Sequence, residues 1–282
     1  MKSIFLTGTL FLCPLLAQTP EQPPAPVPPK PAPVKTKSAY ENLESVWSVS
    51  LFYWRPDGKA VLRGGAQSTN PPAQALDYPA KPRQTPGIML TVPTGHSNRI
   101  EVSAWETRGT GSVTASRDET FFGQDFTQGD LLSARYKIRN LKATWNYLSY
   151  PYPTLDSRFR VKTLWEVQYV AAYSTVIGPP PDSATPGPVS TGKLTLIMPT
   201  FGLGIEWIPS PKHFRFEGRS SGMGLPGKAA LWDADALAVA RVGNFEIFGG
   251  AKAFYFRDSP KKQQFIRDRL WGPMVGVRWV FR

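Results

Sequence analysis

From residue 46 onward, segment after segment of the chain follows one rule: every second residue is apolar, and those between are mostly charged, polar or small. In VWSVSLFYW the apolar set is Trp47, Val49, Leu51 and Tyr53. In FRVKTLWEVQYVAAY it is Phe159, Val161, Trp165, Val167 and Tyr169, opposite Arg160, Lys162, Glu166 and Gln168. NFEIFGGAKAFYF sets Phe245, Ile247, Ala251, Ala253 and Tyr255 against Glu246 and Lys252. Side chains of a strand point alternately to two faces, so a period of two predicts strands with one apolar and one polar face. The 29 Pro and 24 Gly among 282 residues disfavour long helices.

Ten such segments are read, at 46–55, 86–93, 98–109, 129–150, 157–176, 192–208, 213–222, 230–242, 244–257 and 269–281. An even number puts both ends of the array on one side. The connections alternate. Those at 94–98, 150–157, 208–213 and 242–244 are short, and those at about 55–86, 109–129, 176–191, 222–230 and 257–269 are longer. GDLLSARYKIRNLKATWNYLS is read as one strand whose apolar parity shifts between Ile138 and Leu141, which predicts a β-bulge there. KAALWDADALAVARV is rich in alanine. As a strand it sets Trp232 and its alanines against Asp233, Asp235 and Arg241.

A sandwich with the apolar faces inward would satisfy this pattern, and so would a barrel with them outward. Three features favour the barrel. Aromatic residues collect toward strand ends, as Trp47, Tyr53, Trp207, Tyr255, Trp271 and Trp279, with Trp165 on the same apolar faces. Two segments approach twenty residues, where soluble strands usually have about 3–10. The first residues, MKSIFLTGTLFLCPLLAQTP, combine Lys2, an apolar run from Ile4 to Leu16 and the small Ala17, which reads as a cleavable signal peptide over 1–17. The only cysteine, Cys13, falls inside it. Residues 18–42 form a Pro-rich linker suited to an extended polyproline conformation, and 43–282 remain for the barrel.

The last ten residues, PMVGVRWVFR, place Val275, Val277, Trp279 and Phe281 on one face. This end resembles the final strand of bacterial outer-membrane β-barrels, whose terminal aromatic is read by the assembly machinery. Phe281 takes that place here, with Arg282 after it. The resemblance implies an all-β, antiparallel transmembrane barrel of about ten strands in the outer membrane. Its implied partners are outer-membrane lipids and the barrel-assembly machinery, with periplasmic or cell-wall contact through the Pro-rich segment. It carries over no catalytic or ligand-binding residues.

The polar faces hold the candidate site. They assign to the lumen Glu101, Arg135, Lys137, Arg139, Lys142, Arg158, Arg160, Lys162, Glu166, Glu206, Arg215, Glu217, Arg219, Asp233, Asp235, Arg241, Glu246, Lys252 and Arg278. A barrel of ten strands is only slightly wider than one that side chains fill. Buried charges need partners. The expectation is therefore a lumen plugged by ion pairs, with a narrow anion-favouring channel as the alternative. The net charge of +12 forms no compact basic run, so no nucleic-acid partner is expected.

Other motifs are weaker. GMGLPGKA (222–229) has G-x-G-x-x-G spacing, but Ala229 stands where a phosphate loop needs Ser or Thr, so it reads as a Gly-rich turn. Asp233 and Asp235 share a face, but the only histidines, His96 and His213, fall in short turns at the other end. No enzyme activity is expected, a membrane hydrolase being the remote alternative, and no cofactor is expected. Asp118, Glu119, Asp125 and Asp130 offer hard oxygen ligands without a calcium-loop spacing, and no metal is expected. The function read from these features is structural or interactive, with outer loops for surface contacts. A narrow anion-favouring channel and a secreted or periplasmic ligand-binding β-sandwich are the alternatives.

Overall fold

The computed structural model describes residues 46–58, 61–63, 76–77, 81–82, 84–95, 97–151, 157–261 and 264–281, and among these there is no helix. The segments read as a signal peptide (1–17) and a Pro-rich linker (18–42), together with His96 and Arg282, lie outside the described residues. Ten strands build the wall: β1 (Trp47–Trp54), β2 (Thr85–Pro93), β3 (Asn98–Thr114), β4 (Leu131–Tyr150), β5 (Phe159–Ile177), β6 (Val189–Ser210), β7 (Phe214–Leu225), β8 (Ala229–Val242), β9 (Phe245–Lys261) and β10 (Gln264–Phe281). Each pairs antiparallel with its neighbours in the chain, and β1 pairs with β10 from Trp47–Phe281 to Trp54–Met274. The sheet is thus a closed barrel and not a sandwich. Above Trp54 the wall continues in short pieces: Asp57–Gly58 and Val61–Arg63 pair with β10, and Lys81–Pro82 pairs with β3.

A circuit of the ladders that leaves β1 at Leu51 passes Ile88, Ala104, Leu141, Tyr169 and Ile197, and climbs beyond Trp54 by the time it returns. Such a stagger requires strands tilted against the barrel axis.

β4 is one uninterrupted strand, but the bulge expected between Ile138 and Leu141 is absent. Its residues pair without a break from Leu131 to Leu148. Tyr136 and Ile138 are apolar and nevertheless face inward, as does Asn140. The register shifts fall elsewhere, at Leu148/Tyr150, Trp207/Ser210 and Asp258/Lys261. Two of the connections expected to be long are tight. β7 and β8 meet at a turn over 226–228, where Gly227 takes a φ of 71°, and β9 and β10 pair as far as Lys261 with Gln264. In each case the strands run further than the apolar pattern reached.

The connection between β3 and β4 carries a hairpin of Glu119–Phe121 and Gln124–Phe126. Its rings Phe121 and Phe126 are buried, and the Ser190 hydroxyl of β6 donates to the Phe121 carbonyl.

The wall is apolar outside and mixed inside. Ile197 is 68 % exposed and Trp271 62 %, whereas Arg160 and Gln168 are fully buried. At the short-turn end the outer face carries a run of rings: Trp47 opposite Phe281, Phe245 4.6 Å from Trp279, and Trp207 stacked on Phe216 at 5.3 Å. At the other end Trp232 is paired with Tyr255, and Trp271 lies opposite Ala253. Trp165 also faces out, between the two groups, edge-on to Phe201 at 5.1 Å. Tyr53 faces out beside Pro86 and Val275.

Inward rings need room against the wall, and cross-strand glycines provide it. A Cβ on Gly109 would come within 2.2 Å of the Tyr136 ring, and one on Gly276 within 2.3 Å of Phe248. Each ring lies flat over its partner glycine, an arrangement that stabilises strands otherwise weakened there. Gly109→Val must displace the Tyr136 ring. It is expected to destabilise the barrel by about 1–3 kcal/mol, measured as a lower midpoint of urea unfolding in detergent.

Candidate functional site

Two residues apart on a strand means one face, and this spacing puts Arg215, Glu217 and Arg219 of β7 into the lumen together, as it does Arg160 with Lys162 and Asp233 with Asp235. Nearest the short-turn end, Arg215 grips Glu246 with both terminal nitrogens at 2.7 Å, and its Nε donates to Glu217 at 2.6 Å. Arg278 donates to Glu246 at 3.1 Å, to Glu217 at 3.3 Å and to Ser50 Oγ at 3.2 Å. Arg241 lies 3.7 Å from Glu246. Lys162 donates to Glu206 at 2.6 Å, and Arg99 reaches Glu101 at 2.8 Å and Glu206 at 3.5 Å. Arg219 crosses the lumen from β7 to Glu101 of β3 at 2.5 Å and holds Asp235 at 3.1 Å.

Above these pairs lies a second polar layer. Lys142 of β4 crosses to Asp233 of β8 at 2.7 Å, and Lys252 donates to the same carboxylate. Glu166 sits 3.6 Å from Lys142 and accepts from Thr144, Gln168, Thr200 and Ser221 at 3.1, 3.1, 2.9 and 2.5 Å. A carboxylate with four donors and a cation beside it has replaced its hydration shell with protein, which is how a charge becomes tolerable indoors.

The third layer is aromatic. Trp54 and Trp105 meet edge to face with centroids 5.3 Å apart, and Trp105 meets Phe254 in the same way at 4.9 Å. Phe256, Leu270, Ile138 and Leu132 continue the packing toward the far rim. Lys252 joins the two layers, its Nζ 5.8 Å from the centre of the Trp54 ring. The cavity found at the short-turn mouth, among Arg99, Glu206, Arg241 and Arg278, measures about 20 Å³, room for about one water.

The structure therefore brings together Glu101, Lys142, Lys162, Glu166, Glu206, Arg215, Glu217, Arg219, Asp233, Asp235, Arg241, Glu246, Lys252 and Arg278, with Arg160 buried on the same inner face. Four of the assigned lumen residues do not belong there. Arg135 and Lys137, with Arg139, occupy outward positions of β4, because the strand keeps one parity and Tyr136 and Ile138 take the inner places. Arg158 is exposed in the turn before β5.

Arg99 and the aromatic layer went unread in the sequence. Parity alone would have found them: Arg99 is two before Glu101, and Phe52 and Trp54 continue the face of Ser48 and Ser50.

The weaker motifs have structural duties. Asp233 and Asp235 hold different cations, Lys142 and Arg219. The carboxylates of the β3–β4 connection brace it. Asp118 accepts the Gln128 amide at 2.8 Å, Asp125 accepts the Thr120 hydroxyl at 2.5 Å, and Asp130 accepts the amide and hydroxyl of Thr127 at 2.9 Å. GMGLPGKA is the β7–β8 hairpin. His213 lies in a turn against Ser210. Among the described residues no group of His, Cys, Asp and Glu is placed to hold a metal ion.

Fold and lumen together define a closed ten-stranded barrel with an apolar outer wall and, among the described residues, an interior of paired charges and packed rings. No family model matches the chain, and no curated protein does. Among solved structures it is similar to Ail, the attachment invasion locus protein of Yersinia pestis, at 11 % identity over 84 % of this chain and 99 % of that one, with a TM-score of 0.35. It is similar to the outer membrane protein OprG of Pseudomonas aeruginosa at 12 % identity over 85 % and 97 %, with a TM-score of 0.38. The translocator domain of the autotransporter NalP from Neisseria meningitidis gives 11 % identity over 84 % and 88 %, with a TM-score of 0.39.

Asp233→Asn would leave Lys142 and Lys252 sharing a neutral partner in a buried site. The expected loss is about 3–5 kcal/mol, again read from urea unfolding in detergent. Asp125→Asn, on the exposed connection, should move the midpoint by no more than about 0.5 kcal/mol.

Proposed function

We propose that this protein is a barrel of the bacterial outer membrane whose role is structural and interactive: the wall anchors it, and the connections at one rim present its contact surface. The observation that carries this reading is the set of ion pairs and ring contacts that cross the lumen. Solute passage would require the Lys142–Asp233–Lys252 bridge and the Trp54–Trp105–Phe254 stack to part at once. That bridge leaves a buried charge bare whenever it opens.

The outer wall supports the membrane setting. A soluble protein rarely exposes contiguous apolar patches beyond a few hundred Å². Here Leu51, Ile88, Leu90, Ile100, Val102, Leu203, Ile205, Val275 and Val277 all face outward. Rings collect at two levels along the wall, as interfacial girdles do. Within hydrocarbon every backbone N–H and C=O needs a partner, and closure of β1 on β10 supplies the last of them. By the rule that periplasmic turns are short, the end with Trp47 and Phe281 faces the periplasm and the rim with the β3–β4 hairpin faces outward. On this reading the barrel-assembly machinery takes Phe281, and the Pro-rich segment extends into the periplasm.

Electrophoresis of the membrane fraction, boiled and unboiled, and conductance in a planar bilayer test the reading. The expected results are a band that shifts on boiling and no unitary conductance steps above the bare bilayer. Steady steps from the purified, heat-modifiable band would overturn the filled-lumen role.

A further inference from the structure

The three basic residues of β4 that face outward do not stand alone. The hydrogen-bonded row that crosses β3, β4, β5 and β6 reads Arg108, Lys137, Tyr173, Lys193. Lys137 Nζ lies 4.7 Å from the centre of the Tyr173 ring and Lys193 Nζ 5.5 Å, so one ring holds two cations in place from either side. Arg135 lies on the same outer face one row nearer the rim, and Arg139 one row nearer the belt. Glu106 is the acid among them; its carboxylate bridges Arg139 and Arg108, the latter at 2.6 Å. Among the described residues no carboxylate is within ion-pair distance of Arg135, Lys137 or Lys193.

Directly on the belt side of Arg139 and Glu106 the wall is dented. Leu51, Pro86, Ile88, Ala104, Leu141 and Tyr169 line an open outward groove of about 620 Å³. The small Ala104 lies between Ile88 and Leu141 on the neighbouring strands, which makes the floor. Four strands span three steps of about 4.8 Å, so the row is roughly 14 Å wide. That is broader than one phosphate group needs. A cluster of cations with one acid, set at the edge of an apolar wall and above an apolar groove, is complementary to an anionic lipid.

The geometry points to a lipid-binding site on the outer wall of β3–β6, for an outer-leaflet glycolipid that carries two phosphates, with one acyl chain in the groove beneath Arg139. This inference rests on the membrane reading given above. Lys137 and Lys193 meet one phosphate with Tyr173 beneath them. Arg108 and Arg139, aligned by Glu106, meet the other. Arg135 stands toward the sugar side.

The test is native mass spectrometry of the full chain refolded in nonionic detergent, with diphosphorylated lipid A as the probe. Monophosphorylated lipid A and phosphatidylglycerol are the competitors. Wild type should retain the diphosphorylated lipid in preference to both. The variant Arg135→Gln/Lys137→Gln/Lys193→Gln removes three surface cations without touching the lumen, and should weaken retention about a hundredfold. Ala104→Phe fills the groove with all charges kept, and should also weaken it. Equal retention by wild type and the triple variant, or a preference for phosphatidylglycerol, would overturn the site. Each sample is run boiled and unboiled. A heat-modifiable barrel that ignores the lipid refutes the site alone, whereas a detergent-free soluble chain refutes the membrane reading beneath it.

Discussion

The ladder between β1 and β10 is what the rest of the molecule depends on. Eight residues of β1 pair with eight of β10, and β1 pairs with β2 on its other side. Without that seam two long edges would expose unpaired backbone, and the wall would be an apolar sheet open to aggregation. With it, the inside and outside become separate environments. Several charges in the lumen then depend on a partner brought across by closure. Arg278 of β10 reaches Ser50 of β1, Arg219 of β7 reaches Glu101 of β3, and Lys142 of β4 reaches Asp233 of β8.

The three layers of the lumen divide the work. Ion pairs near the short turns and the Glu166 cluster above them hold the strands in one register, since a shifted strand would strand a charge. The aromatic layer contributes apolar burial and excludes water from the pairs beneath, which strengthens them. Lys252 belongs to both, bonded to Asp233 and lying over the Trp54 ring.

Most of the wall was legible in the sequence because a period of two survives wherever one face is apolar and the other is not. All ten strands, and the inward Asp233, Asp235 and Arg241 of the alanine-rich β8, follow from it. The reading failed where both faces change character together. In the upper half of β4 the lumen is apolar, so Tyr136 and Ile138 turn in, while the outer face becomes basic, with Arg135, Lys137 and Arg139. Polarity alone then reports the wrong side, and strand continuity has to overrule it. The tight β7–β8 and β9–β10 hairpins were missed for a related reason: beyond the apolar belt a strand need not alternate. What no residue pattern could supply is which charges meet, because Glu101 and Arg219 are distant in the chain and become neighbours only through the curvature of the closed wall.

The pairs that cross the lumen also fix the size of the barrel. A further hairpin would widen the ring, draw Lys142 away from Asp233 and Arg219 away from Glu101, and admit water between the separated charges. Loss of a hairpin would crush Trp54, Trp105 and Phe254 together. Sequences descended from this one can therefore vary their rim connections freely, but can gain or lose strands only by rewriting the interior in the same step.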